Sequence, residues 1–209
     1  MPPATETLTP RQQQASATKA RIAEAAMRLF AEQGFAATST KQIAGAAGVS
    51  EGLIFRYFPT KLELLRTLSG TRRTLAGEVE EILEEVGDQP ASVCLHRIAE
   101  SFMHLARLEA HFLNMMFGES RTNDELYTLF AHIVASTATL LAGYLDTRVE
   151  AGELRRNLTT ESAARSLLGS LMLFFLTNKH LSDEAWAEAS QRYTDEVLDL
   201  WFRGALSDA

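Results

Sequence analysis

Residues Ser39 to Phe58 read S-T-K-Q-I-A-G-A-A-G-V-S-E-G-L-I-F-R-Y-F. Ser39 stands three residues before Gln42, the spacing of a capping box in which the hydroxyl takes a free N–H of the first turn and the amide reaches back to the cap. A helix is therefore predicted from Thr40, burying Ile43, Ala44 and Ala47. Gly48 ends it, because only glycine adopts the left-handed conformation without a Cβ clash. Ser50 is a second candidate N-cap, and Ile54 and Phe58, four apart, set one apolar ridge of the next helix against the first. Phe55, Arg56 and Tyr57 cannot all share that ridge, so some of them project outward. Pro59 closes the unit, and Thr60 with Glu63 forms a further capping box that starts a third helix at Lys61.

Two helices joined by a glycine turn have the layout of a helix-turn-helix, in which the second helix enters the DNA major groove and the first crosses the backbone. The wording I-A-x-A-A-G-V-S-x-G, then Phe55-Arg56-Tyr57-Phe58, then Lys61 with Leu64-Leu65, resembles the DNA-binding signature of the tetracycline-repressor (TetR) family of bacterial regulators. The likeness runs from Thr18 to Leu65; beyond Arg66 it is one of helix layout alone. It implies a three-helix DNA-binding domain, an all-helical effector-binding domain and a homodimer on a palindromic operator. It also places Ser39, Thr40, Lys41, Ser50, Glu51, Gly52, Phe55, Arg56, Tyr57 and Lys61 at double-stranded DNA. Two positions depart from the common pattern. Glu51 stands where a basic or polar residue is frequent and repels phosphates unless it accepts from a cytosine amine; Leu53 replaces a frequent threonine and cannot donate to a phosphate. Arg56 has an alternative partner in Glu63.

The 209 residues are 46% apolar and 22% charged, ordinary for a soluble protein, with a net charge of −7. The distribution of that charge is uneven. Through Arg66, eight Lys/Arg face five Glu, whereas the remainder carries twelve basic against twenty-two acidic residues. A basic head on an acidic body is the asymmetry a polyanion-binding protein shows. A single cysteine, Cys94, excludes an intrachain disulfide, fits a cytoplasmic setting and reads as a small buried hydrophobe rather than a redox sensor. The first 16 residues, with Pro2, Pro3 and Pro10, lack an apolar signal core and read as a flexible arm. The longest apolar run, Leu167 to Leu176, falls short of the roughly 20 residues a membrane span needs.

From Ala17 onward the periodicity is helical. Ile22, Ala26, Leu29 and Phe30 form one face of a helix that Gly34 ends. One long helix is expected from Lys61 to about Val86, broken by Gly87, Asp88 and Pro90. Further helices are marked by Leu95 to Leu105, by Phe112 to Phe117, by Leu126 to Tyr144, by the Leu167 run after Thr159, and by a last one after Ser182. The reading is an all-α chain of about nine helices. It divides into an arm (1–16), a helix-turn-helix DNA-binding domain (17–77, motif 39–58) and an effector-binding and dimerisation domain (78–209).

Apolar residues cover more than one face of the Leu167 helix, which therefore needs more than one neighbour. Leu167, Leu171 and Phe174, with Tyr193, Val197 and Trp201 on the last helix, are accordingly expected in a four-helix dimer interface; an intrachain core is the alternative. Between them and the head, Phe102, His104, Phe112, Met115, Met116, Tyr127 and Phe130 form a Met- and aromatic-rich region suited to an irregular apolar ligand. Enzyme chemistry finds no support. The five histidines contain no i, i+4 pair, no phosphate-loop or G-x-S-x-G pattern occurs, and no catalytic residue, metal or cofactor is expected. The expected function is a ligand-responsive regulator, a repressor released from DNA by a mainly apolar small molecule. The alternative is a helical small-molecule binding protein that no longer reads DNA specifically.

Overall fold

The computed structural model describes residues 9–71 and 74–205, and these hold ten α-helices and no strand. The head comprises α1 (Pro10–Gln33), α2 (Thr40–Ala47), α3 (Glu51–Tyr57) and α4 (Lys61–Thr71). The body comprises α5 (Leu75–Val86), α6 (Ala91–Leu108), α7 (Ala110–Glu119), α8 (Asp124–Glu150), α9 (Thr160–Asn178) and α10 (Asp183–Ala205).

The motif forms as its local signals dictate. Ser39 and Gln42 exchange capping-box bonds of 3.2 and 2.8 Å, Gly48 takes φ 65°, and Thr60 accepts from the N–H of Glu63 at 3.0 Å. Ser50 has the extended backbone of an N-cap, but its side chain makes no cap bond. Two expectations change. Helix α1 begins at Pro10, inside the expected arm, because Thr9 and Gln12 build a further capping box and proline is well suited to the first helical position. The helix expected from Lys61 to Val86 is two helices. Thr74 takes an extended conformation and accepts from the N–H of Gly77 at 3.1 Å, so a fresh N-terminus forms where continuous helix was expected.

Two apolar cores result. The head core contains Ile22, Phe30, Ile43, Ile54, Phe58, Leu64 and Leu65, and it also takes Met115 and Met116 from α7 and Leu126 and Leu129 from α8. The body core gathers Leu95, Ile98, Leu141, Leu145, Phe175 and Trp186 from α6, α8, α9 and α10. Helix α8 is long and apolar enough to cross a membrane by length and composition, yet here its apolar residues meet α5, α7 and α9. Cys94 is buried, its thiol donating to the Val86 carbonyl at 2.9 Å.

The expected dimer residues divide. Leu167, Leu171 and Phe174 belong to the body core, with Leu171 at 0% exposure. Phe174 stacks on Tyr193 with centroids 4.6 Å apart, the Tyr193 hydroxyl donates to the Ser170 carbonyl, and the Trp201 indole donates to the Ala163 carbonyl. The second neighbour that α9 needs is thus supplied within the chain, by α8 on one side and α10 on the other. Leu173 and Leu200, 61% and 69% exposed, are the large apolar side chains those two helices turn outward.

Leu171→Ala is expected to destabilise the chain by about 2–5 kcal/mol in denaturant titration, the usual range for a buried leucine. Leu171→Glu should lose cooperative unfolding altogether rather than yield a folded monomer.

Candidate nucleic-acid interface and effector cavity

The outer surface of the motif is formed by the start of α2 and the open side of α3. Ser39, Lys41, Ser50, Gly52, Phe55 and Arg56 are exposed there, and Thr40, Glu51 and Tyr57 are half-buried. Glu51 is not a loose charge. The Thr40 hydroxyl donates to its carboxylate at 2.5 Å, tying the N-terminus of α2 to that of α3, and an acid in the first turn of a helix is favoured by the helix dipole. Glu63 pairs at 3.8 Å with Arg66. Arg56 therefore keeps its guanidinium for the solvent side, with no ion pair among the described residues. Phe55 stays 47% exposed, a large apolar ring on an otherwise polar face. Lys19 of α1 lies over the Tyr57 ring at 5.5 Å, which adds a cation beside α3.

Lys61 departs from its expected place at the DNA. Its ammonium donates inward to the carbonyls of Phe35 at 2.6 Å and Thr38 at 2.8 Å, and sits 4.3 Å from the centroid of the Phe35 ring. Burial pushes its pKa below the usual lysine value, an effect opposed by the nearby carboxylate of Glu119. That carboxylate accepts from the backbone N–H groups of Phe35 at 2.5 Å and Ala36 at 2.8 Å.

Behind the head lies a partly open cavity of about 430 Å³ lined by α6, α7, α8 and α9 and the start of α5. Phe102, Phe112, Met116 and Phe130 line it, as the sequence reading expects. Three others do not. Met115 is buried in the head core, His104 is exposed and faces a shallow groove beside Trp186, and Tyr127 is 60% exposed. Further wall residues include Ile133, Val134 and Thr137 of α8 and Leu168, Gly169 and Met172 of α9. For the α9 residues the available signal was that apolar residues cover more than one face of that helix, and it pointed equally well to an interface. Polar side chains at the wall are few, Glu109 among them; the Thr137 hydroxyl donates to the Ile133 carbonyl, Thr74 caps α5, and Arg165 pairs with Glu161 at 2.8 Å. An apolar molecule gains more there than a polar one.

A helix-turn-helix head on a helical body with a partly open apolar cavity defines a DNA-binding transcription regulator. Residues 22–68 match the family described as "Bacterial regulatory proteins, tetR family", so the head carries a DNA-binding domain of that type. The chain is 27% identical over 191 residues to YvkB of Bacillus subtilis, an HTH-type transcriptional regulator, covering 91% of this chain and 98% of that one. Its fold is similar to that of NalD, the secondary repressor of the MexAB-OprM multidrug efflux pump in Pseudomonas aeruginosa (TM-score 0.68, 22% identity, 93% and 98% of the two chains). It is likewise similar to FadR from Bacillus subtilis, solved in complex with stearoyl-CoA (TM-score 0.72, 22% identity, 87% and 96%).

Lys61→Met should leave the slope of log K for DNA against log salt unchanged, because the ammonium is spent on carbonyls, while lowering stability by about 1–3 kcal/mol through unsatisfied acceptors. A slope shallower by about 0.9 in filter-binding titrations would instead mean that Lys61 reaches a phosphate.

Proposed function

We propose that the chain is a homodimeric repressor that acts at DNA in the cytoplasm and leaves a palindromic operator when a mainly apolar small molecule fills the cavity. The observation that carries this reading is Met116, which lines the cavity and is also a fully buried member of the head core. A ligand can change DNA affinity only by binding two conformations unequally, and a wall shared with the head is where such a difference arises. The stearoyl-CoA complex of FadR, a protein of similar fold, supports an effector with a long apolar portion.

On the DNA side, Lys41, Arg56 and Lys19 supply phosphate attraction. Phe55 supplies the reading of sequence: it has no hydrogen-bonding atom, and the apolar feature of the major groove is the thymine C5-methyl. Selection of the purified protein against random duplex DNA should return one palindrome with half-sites about one helical turn, roughly 34 Å, apart. A protein that only binds small molecules would return none. Replacing the thymine that meets Phe55 with uracil should weaken binding about fourfold, the worth of one buried methyl, and Phe55→Ala should erase that difference.

For the dimer, exposed Leu173 and Leu200, with half-buried Val197 beside them, support an isologous contact of α9 and α10 with their copies. Leu173→Arg combined with Leu200→Glu should give a folded monomer by light scattering, with operator affinity sharply reduced. A variant that stays dimeric moves the interface elsewhere.

A further inference from the structure

The turn between α1 and α2 is held from two sides. Its N–H groups at Phe35 and Ala36 both donate to the carboxylate of Glu119, at 2.5 and 2.8 Å. Its carbonyls at Phe35 and Thr38 accept from the ammonium of Lys61. Each charged group thus meets the end of the peptide dipoles that attracts it, and charge-assisted bonds of this kind are the stronger ones. The approach of the carboxylate requires a residue without a side chain at position 34. Gly34 has φ 86°, and a Cβ there would stand 2.5 Å from Glu119 Oε1.

The two charges come from different parts of the fold. Lys61 opens α4, within the head, whereas Glu119 is the last residue of α7, in the body, 84 residues from Phe35 in the chain. Met116 and Phe117, three and two residues before Glu119, line the cavity. The turn that Glu119 grips leads directly into the Ser39 cap of α2, the helix that carries Thr40 and Lys41. A displacement of α7 by a ligand therefore moves the carboxylate and, through two short bonds, the start of α2. Packed helices shift as units rather than deform continuously, so the movement is passed on.

We propose that Glu119 is a positioning residue that couples occupation of the cavity to the setting of the DNA head. The proposal rests on the reading of the cavity as the effector site. Glutamine is the informative replacement: it keeps the length of the side chain and can accept from one N–H, but it presents its own N–H₂ to the other donor.

The test uses the full-length chain, its selected operator duplex, and 1-anilinonaphthalene-8-sulfonate, an aromatic anion that fluoresces in apolar sites, as the cavity probe. Saturating operator should change the affinity of wild type for the probe by about fivefold or more, and by reciprocity the probe should change operator affinity by the same factor. In Glu119→Gln that factor should fall to about 1, with probe affinity of the free protein unchanged; a purely structural role would lower stability and leave the factor intact. Independent binding of probe and operator in wild type, or undiminished coupling in Glu119→Gln, overturns the proposal. Val134→Trp fills the cavity and should abolish probe binding. If the probe still binds that variant, the cavity reading fails, and amide exchange decides about Glu119 by itself. In Glu119→Ala the Phe35 and Ala36 amides should exchange about tenfold faster or more, and unchanged exchange overturns the proposal.

Discussion

The arrangement on which head and body both depend is a five-residue turn with opposite charges on its two sides. Residues 34 to 38 leave peptide groups that no helix satisfies, and a buried unpaired N–H or C=O is about as unfavourable as a lost hydrogen bond. Glu119 and Lys61 satisfy them with charged groups. Neither would be favourable alone: desolvation already lowers the Lys61 pKa, and the facing carboxylate opposes that shift. Removing one member leaves the other partly buried without its counter-charge, a larger penalty than the net worth of the pair. The turn, the lysine and the glutamate therefore form one unit.

That unit makes the junction between head and body a packed contact rather than a lever. Helix α4 ends at Thr71 and α5 starts afresh at Leu75, so no single helix runs from the motif to the cavity. The head is instead fastened through α1 against α7 and α4 against α8, and the apolar side of the fastening is Met115, Met116, Leu126 and Leu129 inside the head core. Rigid coupling through the Lys61 helix would require continuous backbone hydrogen bonding past Thr74, which the cap at Gly77 interrupts. Communication accordingly runs through side chains of α7 that serve cavity and head at once.

The parts of this fold that were legible in the sequence are those decided by residues a few positions apart. The Ser39 and Gln42 box, the left-handed Gly48 and the Thr60 cap are each closed by bonds spanning three or four residues, so their signatures are complete in the local text. Thr74 also acts locally, but Gly77 at its third following position offers no side chain to complete a box, and the signal drowned in a helical pattern. Long-range partners left no such mark. A stripe of Leu167, Leu171 and Phe174 states that a face is covered without stating by which helix, and here α8 and α10 cover it. The same holds for Lys61, whose basic charge reads as a phosphate contact until the Phe35 and Thr38 carbonyls are seen beside it. Of the Met and aromatic cluster, composition identified the region, while the facing decided that Met116 lines the cavity and Met115 the head core.

With Lys61 turned inward and Glu51 tied to Thr40, the proposed DNA surface carries few charges of its own. Lys19, Lys41 and Arg56 are its cations, set against a chain of net charge −7. Attraction to a polyanion is correspondingly weak compared with that of a strongly basic domain, since within a Debye length of about 8 Å it comes from these few cations. On the proposed surface each lost cation is a lost counterion release, which lowers sequence-independent affinity and makes it less steeply dependent on salt. Discrimination must then come from contacts that do not rely on charge. An exposed Phe55, Gly52 one turn before it leaving room for the bases, and a hydroxyl-bound Glu51 that does not thrust an unpaired carboxylate at the phosphates form a surface suited to that task. The departure at Glu51 thus fits a head that reads an apolar feature of the groove, with the Lys61 ammonium reassigned to holding the turn between α1 and α2.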